Sequence, residues 1–254
     1  MARTILITGA ASGIGRATAQ LCEAAGDRVI GVDIANAEIE ADLGTAEGRA
    51  KLVSEAERLA PNGLDAVLAA AGISKMEMPR ETVGINYFGA VATLEGLRPL
   101  LAKSERPRAV AICSTAAMLP GNESVVESCL AGNEAEALDR IAAAPQTAYL
   151  DSKRALALWV RRTAGKPEWA GSGILLNGVG PGVVETPMTA PLLKEPEMVA
   201  MVQKSNPIAV NGYAAPEEIA ELLGFLLGYA NHYLVGQIIY IDGGTDIILR
   251  PEVI

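Results

Sequence analysis

Short apolar runs alternate with longer amphipathic stretches along nearly the whole chain. The runs predict strands over residues 3–8, 28–33, 38–43, 64–72, 108–115, 173–180 and 237–242. The stretches predict helices over residues 13–26, 45–60, 82–103 and 147–164 and from Pro216 onwards. Several strands are apolar at nearly every position, which is typical of a parallel sheet covered on both faces. We therefore expect a single doubly wound α/β domain over residues 1–254, with a Rossmann-type sheet of about seven strands.

Two long segments interrupt this alternation. Residues 117–146 lie between a strand and a helix, and their second half has a helical pattern, which predicts an inserted helical segment. Residues 181–215 contain five prolines and follow another strand. Loops of this length are commonly functional. We expect the part over about 186–212 to form a lid above the carboxyl edge of the sheet.

Composition narrows the functional classes. The net charge is −9 and the chain has no basic run, which argues against nucleic acid or a membrane as a partner. No stretch reaches about 18 uninterrupted apolar residues, and the first apolar run is too short for a signal peptide. The three cysteines fit no metal-site spacing and His232 is the only histidine, so we expect no metal. These features favour a cytoplasmic protein.

A glycine-rich turn joins the first predicted strand to the first helix. In TGAASGIG, over residues 8–15, Gly9, Gly13 and Gly15 remove side chains where the chain turns tightly. Backbone N–H groups can then approach a pyrophosphate at the helix N-terminus. The spacing is G-x-x-x-G-x-G rather than G-x-G-x-x-G, so an ordinary structural turn is an equally good interpretation of the glycines alone.

An acidic residue strengthens the nucleotide interpretation. Asp33 ends the second predicted strand, 18 residues after Gly15. A carboxylate there accepts hydrogen bonds from both ribose hydroxyls of adenosine and repels a 2′-phosphate. Neither Ser12 nor Ile34 is the basic residue that an NADP site requires. The sequence therefore favours NAD over NADP, with a plain strand-end turn as the structural alternative.

The stretch TAYLDSKRAL places a phenol and an ammonium one helical turn apart. Tyr149 and Lys153 share a helix face, with Ser152 beside them. A neighbouring ammonium favours the phenolate, and moving the tyrosine pKa from about 10 to about 7 takes roughly 4 kcal/mol. With a cationic nicotinamide ring bound nearby, Tyr149 would be a general acid–base near neutral pH. Y-x-x-x-K alone is common by chance, so a surface pair is the alternative.

Several motifs occur together and in a fixed order: TGAASGIG, INYFGA, AICST, YLDSK and GPGVVETPM. Together with Asp33 they resemble the short-chain dehydrogenase/reductase family over the whole chain. The resemblance implies an enzyme that transfers hydride between nicotinamide and a carbinol carbon without a metal.

The resemblance implies a role for each of four catalytic residues. Tyr149 would be the acid–base, and Ser114 would hydrogen-bond the substrate oxygen and stabilise its developing charge. Lys153 would bind the nicotinamide ribose and lower the tyrosine pKa. Asn86 would position a water that connects Lys153 to solvent. As structural alternatives, Ser114 could merely end a strand, with Thr115 in its place, and Asn86 could be a helix-interior amide bonded to the backbone.

The resemblance also implies a cofactor-binding set. Asp42 and Leu43 would flank the adenine, while the Val184 backbone and the Thr186 hydroxyl would hold the nicotinamide carboxamide. The implied set is Gly9, Ser12, Gly13, Ile14, Gly15, Asp33, Asp42, Leu43, Ala71, Gly72, Tyr149, Lys153, Pro181, Gly182, Val184 and Thr186.

The chain departs from the family pattern in two places. Ala70 stands where the family usually has asparagine, so we expect a weaker sheet-stabilising hydrogen bond. Ser114 and Tyr149 are 35 residues apart because of the segment over 117–146. That insertion, with GVDIANAEIEADLGTAEGR and IDGGTDIILRP, is most similar to the bacterial 3α-hydroxysteroid dehydrogenase/carbonyl reductase subgroup. The likeness implies steroid or other secondary alcohols and ketones as substrates.

The insertion and the lid carry two further expectations. In most of the family the tyrosine-bearing helix packs against a partner subunit, and the insertion would obstruct that contact. The resemblance therefore implies a homodimer through another surface rather than a tetramer. The lid offers an apolar surface for a hydrophobic ring system, although ordinary lid packing explains the same residues: Met188, Leu192, Leu193, Met198, Met201 and Val202.

The sequence thus predicts an NAD-dependent oxidoreductase acting on a secondary alcohol or ketone, with a 3α-hydroxysteroid or 3-oxosteroid favoured. The nearest alternative is the same chemistry on a non-steroid cyclic or aromatic ketone. A more distant alternative is an NAD-binding regulator without catalysis. The complete set of Ser114, Tyr149 and Lys153 argues against it, because a sensor has no use for an acid–base.

Overall fold

The computed structural model describes residues 2–253 and arranges seven strands in one parallel sheet. The strands are β1 (Thr4–Thr8), β2 (Arg28–Asp33), β3 (Ile39–Glu40), β4 (Ala66–Ala69), β5 (Arg108–Ile112), β6 (Leu175–Pro181) and β7 (Ile238–Ile241). Their order across the sheet is β3-β2-β1-β4-β5-β6-β7. The order reverses between β1 and β4, and such a switch point opens a crevice at the carboxyl ends of the strands.

Helices cover both faces of the sheet. They are α1 (Gly13–Ala24), α2 (Ala46–Leu59), α3 (Pro79–Val83), α4 (Ala90–Leu101), α5 (Glu123–Leu130), α6 (Glu134–Ala143), α7 (Ala148–Thr163), α8 (Pro196–Ser205), α9 (Pro216–Leu227) and α10 (Thr245–Leu249). The apolar core lies in two layers, with α2, α4 and α7 on one face and α1 and α9 on the other. The predicted doubly wound α/β fold is therefore confirmed.

Alternation along β1 explains why the central strands are apolar at nearly every position. Ile5 and Ile7 pack in the layer of α1 and α9, whereas Leu6 packs in the opposite layer. Successive side chains of a strand point to opposite faces, so a strand covered on both faces needs apolar residues throughout. All three side chains are completely buried.

Several predicted elements differ in detail, and the strand expected over residues 38–43 is limited to β3 (Ile39–Glu40). The helix expected over residues 82–103 is divided into α3, a π-helical segment (Gly84–Gly89) and α4. The insertion over residues 117–146 is helical in both halves, since it contains α5 as well as α6. The lid contains α8, whose residues are all half-buried or exposed. Across the described part of the chain, every helix is too short or too polar to cross a membrane.

Candidate active site

A cavity of about 360 Å³ opens at the carboxyl edge of the sheet, beside the switch point between β1 and β4. Every residue of the cofactor set implied by the resemblance lines this cavity, and so does Ser114. The sequence interpretation missed several apolar wall residues, among them Ile73 and Ile85. Ordinary apolar residues of this kind give no sequence signal, because the fold alone brings them to the wall.

The glycine turn between β1 and α1 has no room for side chains. A Cβ on Gly15 would lie 2.2 Å from the carbonyl oxygen of Gly9. Gly9 itself has φ +71°, and a Cβ there would come within 3.0 Å of the backbone of Ala70 and Ala71. A Cβ on Gly13 would approach a Thr186 methyl group at 3.3 Å, on the cavity wall. Glycine is therefore required for the turn and leaves its backbone open to a ligand.

Asp33 holds its carboxylate in a fixed orientation at the end of β2. One oxygen accepts a hydrogen bond from the backbone N–H of Ala11 at 3.0 Å, and the other accepts from Ile34 at 2.7 Å. Each carboxylate oxygen has two lone pairs, so both retain capacity for a hydroxyl donor. The next side chain, Ile34, is 70% exposed and carries no charge. The residues present thus fit an adenosine ribose without a 2′-phosphate.

The cavity wall on the side of β5, away from Asp33 at the end of β2, carries Ser114, Tyr149 and Lys153. Lys153 is 4% exposed, and its Nζ donates to the carbonyl oxygen of Ile112 at 2.8 Å. The same nitrogen lies 5.9 Å from the centroid of the Tyr149 ring. The Ser114 hydroxyl accepts from the Ala116 N–H at 3.1 Å and lies near the Tyr149 phenol. A serine at the end of β5 and a helical Y-x-x-x-K pair therefore converge.

Burial dominates the pKa values of Tyr149 and Lys153. Burial raises the pKa of the phenol, and the nearby Ser114 hydroxyl lowers it by less. Tyr149 as a whole residue is half-buried, so its ring reaches the cavity while its phenol is desolvated. Burial also lowers the pKa of Lys153 to about 8. For the Tyr149 phenol, desolvation therefore outweighs the effect of the Ser114 hydroxyl.

Asn86 lies in the π-helical segment and is completely buried. Its amide accepts from the Ile73 N–H at 2.8 Å and donates to the Ile73 carbonyl oxygen at 2.9 Å. It also donates to the Ser152 hydroxyl at 3.2 Å, while that hydroxyl donates to the Tyr149 carbonyl oxygen at 2.7 Å. The amide therefore fastens a wall loop to α7, which is the backbone role that the sequence left as an alternative. A water between it and Lys153 stays a prediction.

Two family models match most of the chain. One is described as short chain dehydrogenase and matches residues 3–128, and the other is described as Enoyl-(Acyl carrier protein) reductase and matches residues 134–246. The 3-alpha-hydroxysteroid dehydrogenase/carbonyl reductase of Comamonas testosteroni is 37% identical over 97% of this chain and 98% of its own length. The chain belongs to the short-chain dehydrogenase/reductase family. The resemblance in the motifs is thereby confirmed, and the protein is an oxidoreductase.

Two further proteins are similar to this chain over nearly its whole length. The crystal structure of the 3-alpha-hydroxysteroid dehydrogenase from Pseudomonas sp. B-0831 complexed with NADH superposes with a TM-score of 0.93, at 37% identity, over 99% of this chain and 100% of that one. The cis-4-hydroxycyclohexanecarboxylate dehydrogenase of Sinomonas cyclohexanicum is 29% identical over 95% of this chain and 96% of its own. Because the first superposition covers nearly all residues, it extends through the insertion.

The departure from the family pattern at Ala70 is offset by Thr8 at the end of β1. The Thr8 hydroxyl accepts from the Ala70 N–H at 3.0 Å and from the Ala71 N–H at 3.1 Å. Two hydrogen bonds thus tie β1 to the chain that leaves β4. The sequence predicted a weaker hydrogen bond here because it did not take Thr8 into account. Pairing of β1 with β4 is what brings Thr8 to the Ala70 and Ala71 N–H groups.

The insertion is fastened to α7. Asp151, completely buried, accepts from the Asn122 N–H at 2.8 Å and from the Thr147 hydroxyl at 2.6 Å. Arg154 and Glu123 form an ion pair at 2.7 Å. Among residues 2–253, no group of three or more His, Cys, Asp and Glu side chains could hold a metal ion.

Proposed function

We propose that the protein is an NAD(H)-dependent oxidoreductase that interconverts a secondary alcohol and a ketone, with Tyr149 as the acid–base. The observation that carries the proposal is the convergence of Ser114, Tyr149 and Lys153 on the wall of one cavity whose other end carries Asp33. The glycine turn and the anchored Asp33 carboxylate fit a dinucleotide. When bound, NAD(H) supplies or accepts the hydride at its nicotinamide ring.

In the reducing direction, the side chains polarise the carbonyl and deliver the proton. Ser114 and the protonated Tyr149 phenol donate hydrogen bonds to the substrate oxygen, where negative charge develops. Tyr149 then transfers its proton to that oxygen. The raised pKa of the phenol keeps this proton in place throughout the neutral range. In the oxidising direction Tyr149 must first lose the proton, and the Lys153 ammonium stabilises the phenolate.

NAD(H) rather than NADP(H) follows from the neighbourhood of Asp33. A 2′-phosphate would face a carboxylate already accepting two backbone hydrogen bonds. The exposed Ile34 offers it no cation. The NADH in the crystal structure of the Pseudomonas relative supports the same choice.

A 3α-hydroxysteroid or 3-oxosteroid is the favoured substrate. Support comes from the two relatives that share 37% identity with this chain, both of which are 3-alpha-hydroxysteroid dehydrogenases. It also comes from apolar side chains around the cavity: Ile73 and Met188 line it, while Met76 and Met201 are 74% and 63% exposed on the adjoining loop and on α8. Exposed methionines adapt to a rigid apolar ring system at little cost.

A cyclic non-steroid alcohol or ketone is the second candidate. The relative that acts on cis-4-hydroxycyclohexanecarboxylate favours it, since that substrate presents one ring rather than four. The chemistry at Ser114 and Tyr149 would be the same. The two candidates differ only in how much of the lid contacts the substrate.

We also propose a homodimer that does not use α7 as its contact. The insertion packs beside α7 and is fixed to it by Asp151 and Arg154. α5 thus occupies part of the α7 surface that a second subunit would otherwise contact. Size-exclusion chromatography with light scattering should give the mass of two chains, and the mass of four chains would refute this assembly.

Turnover of NADH with a panel of ketones tests the proposed function. Purified protein should oxidise NADH with a 3-oxosteroid at a higher kcat/KM than with substituted cyclohexanones or aryl ketones. NADPH in place of NADH should give at most about one-tenth of the rate, given the Asp33 carboxylate. Bound NADH that no ketone oxidises would instead point to a regulator.

A further inference from the structure

Arg49 holds the loop that forms one wall of the adenine end of the cavity. It lies in the first turn of α2, five residues after Gly44. Its Nε donates to the Leu43 carbonyl oxygen at 2.8 Å, and its Nη2 donates to the Gly44 carbonyl oxygen at 3.1 Å. Asp42 and Leu43 both line the cavity. One guanidinium therefore fixes two consecutive carbonyl groups next to the ligand position.

Glu134 binds the other side of the same guanidinium. Its two carboxylate oxygens accept from Nη1 at 2.8 Å and from Nη2 at 2.5 Å, which is the bidentate geometry of a strong arginine–carboxylate pair. The side chains of Arg49 and Glu134 are 13% and 34% exposed. Glu134 is the first residue of α6, so its backbone is held by the inserted segment.

The insertion therefore connects two distant parts of the cavity. Near its start it is bonded to α7, the helix that carries Tyr149 and Lys153, through Asp151 and Arg154. Further along, Glu134 bonds to Arg49 and hence to the loop over residues 42–44. A segment that only obstructed a subunit contact would need neither connection.

We propose that Glu134 and Arg49 are positioning residues that keep the 42–44 loop ready to receive the adenine ring, so that the insertion sets the affinity for NAD(H). This inference rests on the proposed binding of NAD(H) in the cavity. Without the carboxylate, the guanidinium turns toward solvent and releases the two carbonyl groups. The loop then spends less time in the binding conformation, and the apparent affinity falls by that fraction.

Glu134→Gln tests the pair with little risk to folding, because the amide keeps the shape and one acceptor oxygen. We expect the NADH dissociation constant, followed by nicotinamide fluorescence, to rise about 3- to 10-fold, while kcat at saturating NADH changes less than about twofold. The matched control is Asp139→Asn on the same helix. Asp139 pairs with Arg80 at 2.7 Å and makes no hydrogen bond to the 42–44 loop, so its loss should leave NADH affinity unchanged.

Two half-ligands separate a positioning role from a general loss of structure. ADP-ribose, which carries the adenine end, should bind Glu134→Gln more weakly by the same factor as NADH. Reduced nicotinamide mononucleotide, which lacks adenosine, should give an unchanged kcat/KM. Arg49→Lys should weaken NADH to a similar degree, and adding it to Glu134→Gln should change little, because both remove one connection.

The results that would overturn the inference differ from those that would overturn the proposed function. If Glu134→Gln binds NADH as tightly as the wild type, or weakens the mononucleotide equally, the pair does not position the adenine loop. The proposed function then stands. If the wild-type protein binds no NADH, the proposed function fails first, and this inference fails with it.

Discussion

The Lys153 ammonium nitrogen lies 5.9 Å from the centroid of the Tyr149 ring and 2.8 Å from the Ile112 carbonyl oxygen. The Ile112 carbonyl oxygen at the end of β5 thus holds the Lys153 ammonium beside the Tyr149 ring. Burial lowers the pKa of Lys153 to about 8 and raises the pKa of Tyr149, so desolvation disfavours the charged form of each group. In the proposed reaction the protonated phenol is the acid of ketone reduction, and it acts as a base in alcohol oxidation only where nearby positive charge stabilises the phenolate.

The pH dependence of the two directions should differ. A phenol with a raised pKa stays protonated in neutral solution, so kcat/KM for ketone reduction should be flat below about pH 8. Alcohol oxidation should accelerate as pH rises, because Tyr149 must lose its proton first. Initial rates in both directions between about pH 6 and 9 check this. Reduction that already declines through neutral pH would show that the phenol ionises far more easily.

Lys153→Met should stabilise the cofactor-free protein while abolishing turnover. The folded pKa of about 8 is below the value of 10.5 for a free lysine, so the cost of burying the ammonium is present in full below pH 8. It decreases as pH rises from 8 to 10.5, where the folded chain releases its proton before the unfolded chain does. We expect the free energy of unfolding of Lys153→Met to exceed that of the wild type by about 1–3 kcal/mol at pH 7. This range allows for the lost hydrogen bond to the Ile112 carbonyl oxygen.

Denaturant unfolding of the wild type and Lys153→Met at neutral and alkaline pH measures this difference. The advantage of the variant should shrink as pH rises. An advantage that is absent at neutral pH, or that grows toward alkaline pH, would contradict the assigned cost of burial.

Asp33→Asn should weaken NADH binding about 10-fold or more and reduce the preference over NADPH. Two backbone N–H groups point at the two carboxylate oxygens, and the amide can satisfy only one of them with its oxygen. Glu38→Gln is the control, because this exposed acid pairs with Arg28 and lies off the cavity wall. Titrations with both nucleotides give the measurement, and equal affinities for the wild type and Asp33→Asn would refute the ribose contact.

Gly15→Ala should lower the free energy of unfolding by about 2–4 kcal/mol and impair NADH binding. Its Cβ would be 2.2 Å from the Gly9 carbonyl oxygen, so the turn and the start of α1 must separate. Gly165→Ala is the matched control, since its Cβ would meet no atom within 4 Å. Its stability should change by less than about 0.5 kcal/mol. Equal stabilities of the two variants would show that the turn is looser than described.

The features that the sequence predicted are those encoded locally. Gly15 belongs to a turn of eight residues, and Tyr149 and Lys153 share one helix face, so pattern alone indicates them. The raised pKa of the Tyr149 phenol depends on desolvation by residues from the whole fold, so no local pattern indicates it. Thr8 and Arg49 escaped notice for a related reason: their partners lie 62 and 85 residues away in the chain.

The most direct test of the central claim is the comparison of Tyr149→Phe with Tyr87→Phe. Tyr87 is buried in the π-helical segment, away from the cavity wall, and its substitution should leave turnover within about twofold. Tyr149→Phe should lower kcat for ketone reduction by about 10²- to 10⁴-fold or more, with the NADH dissociation constant nearly unchanged. Turnover by Tyr149→Phe within tenfold of the wild type, with NADH still bound, would contradict the account.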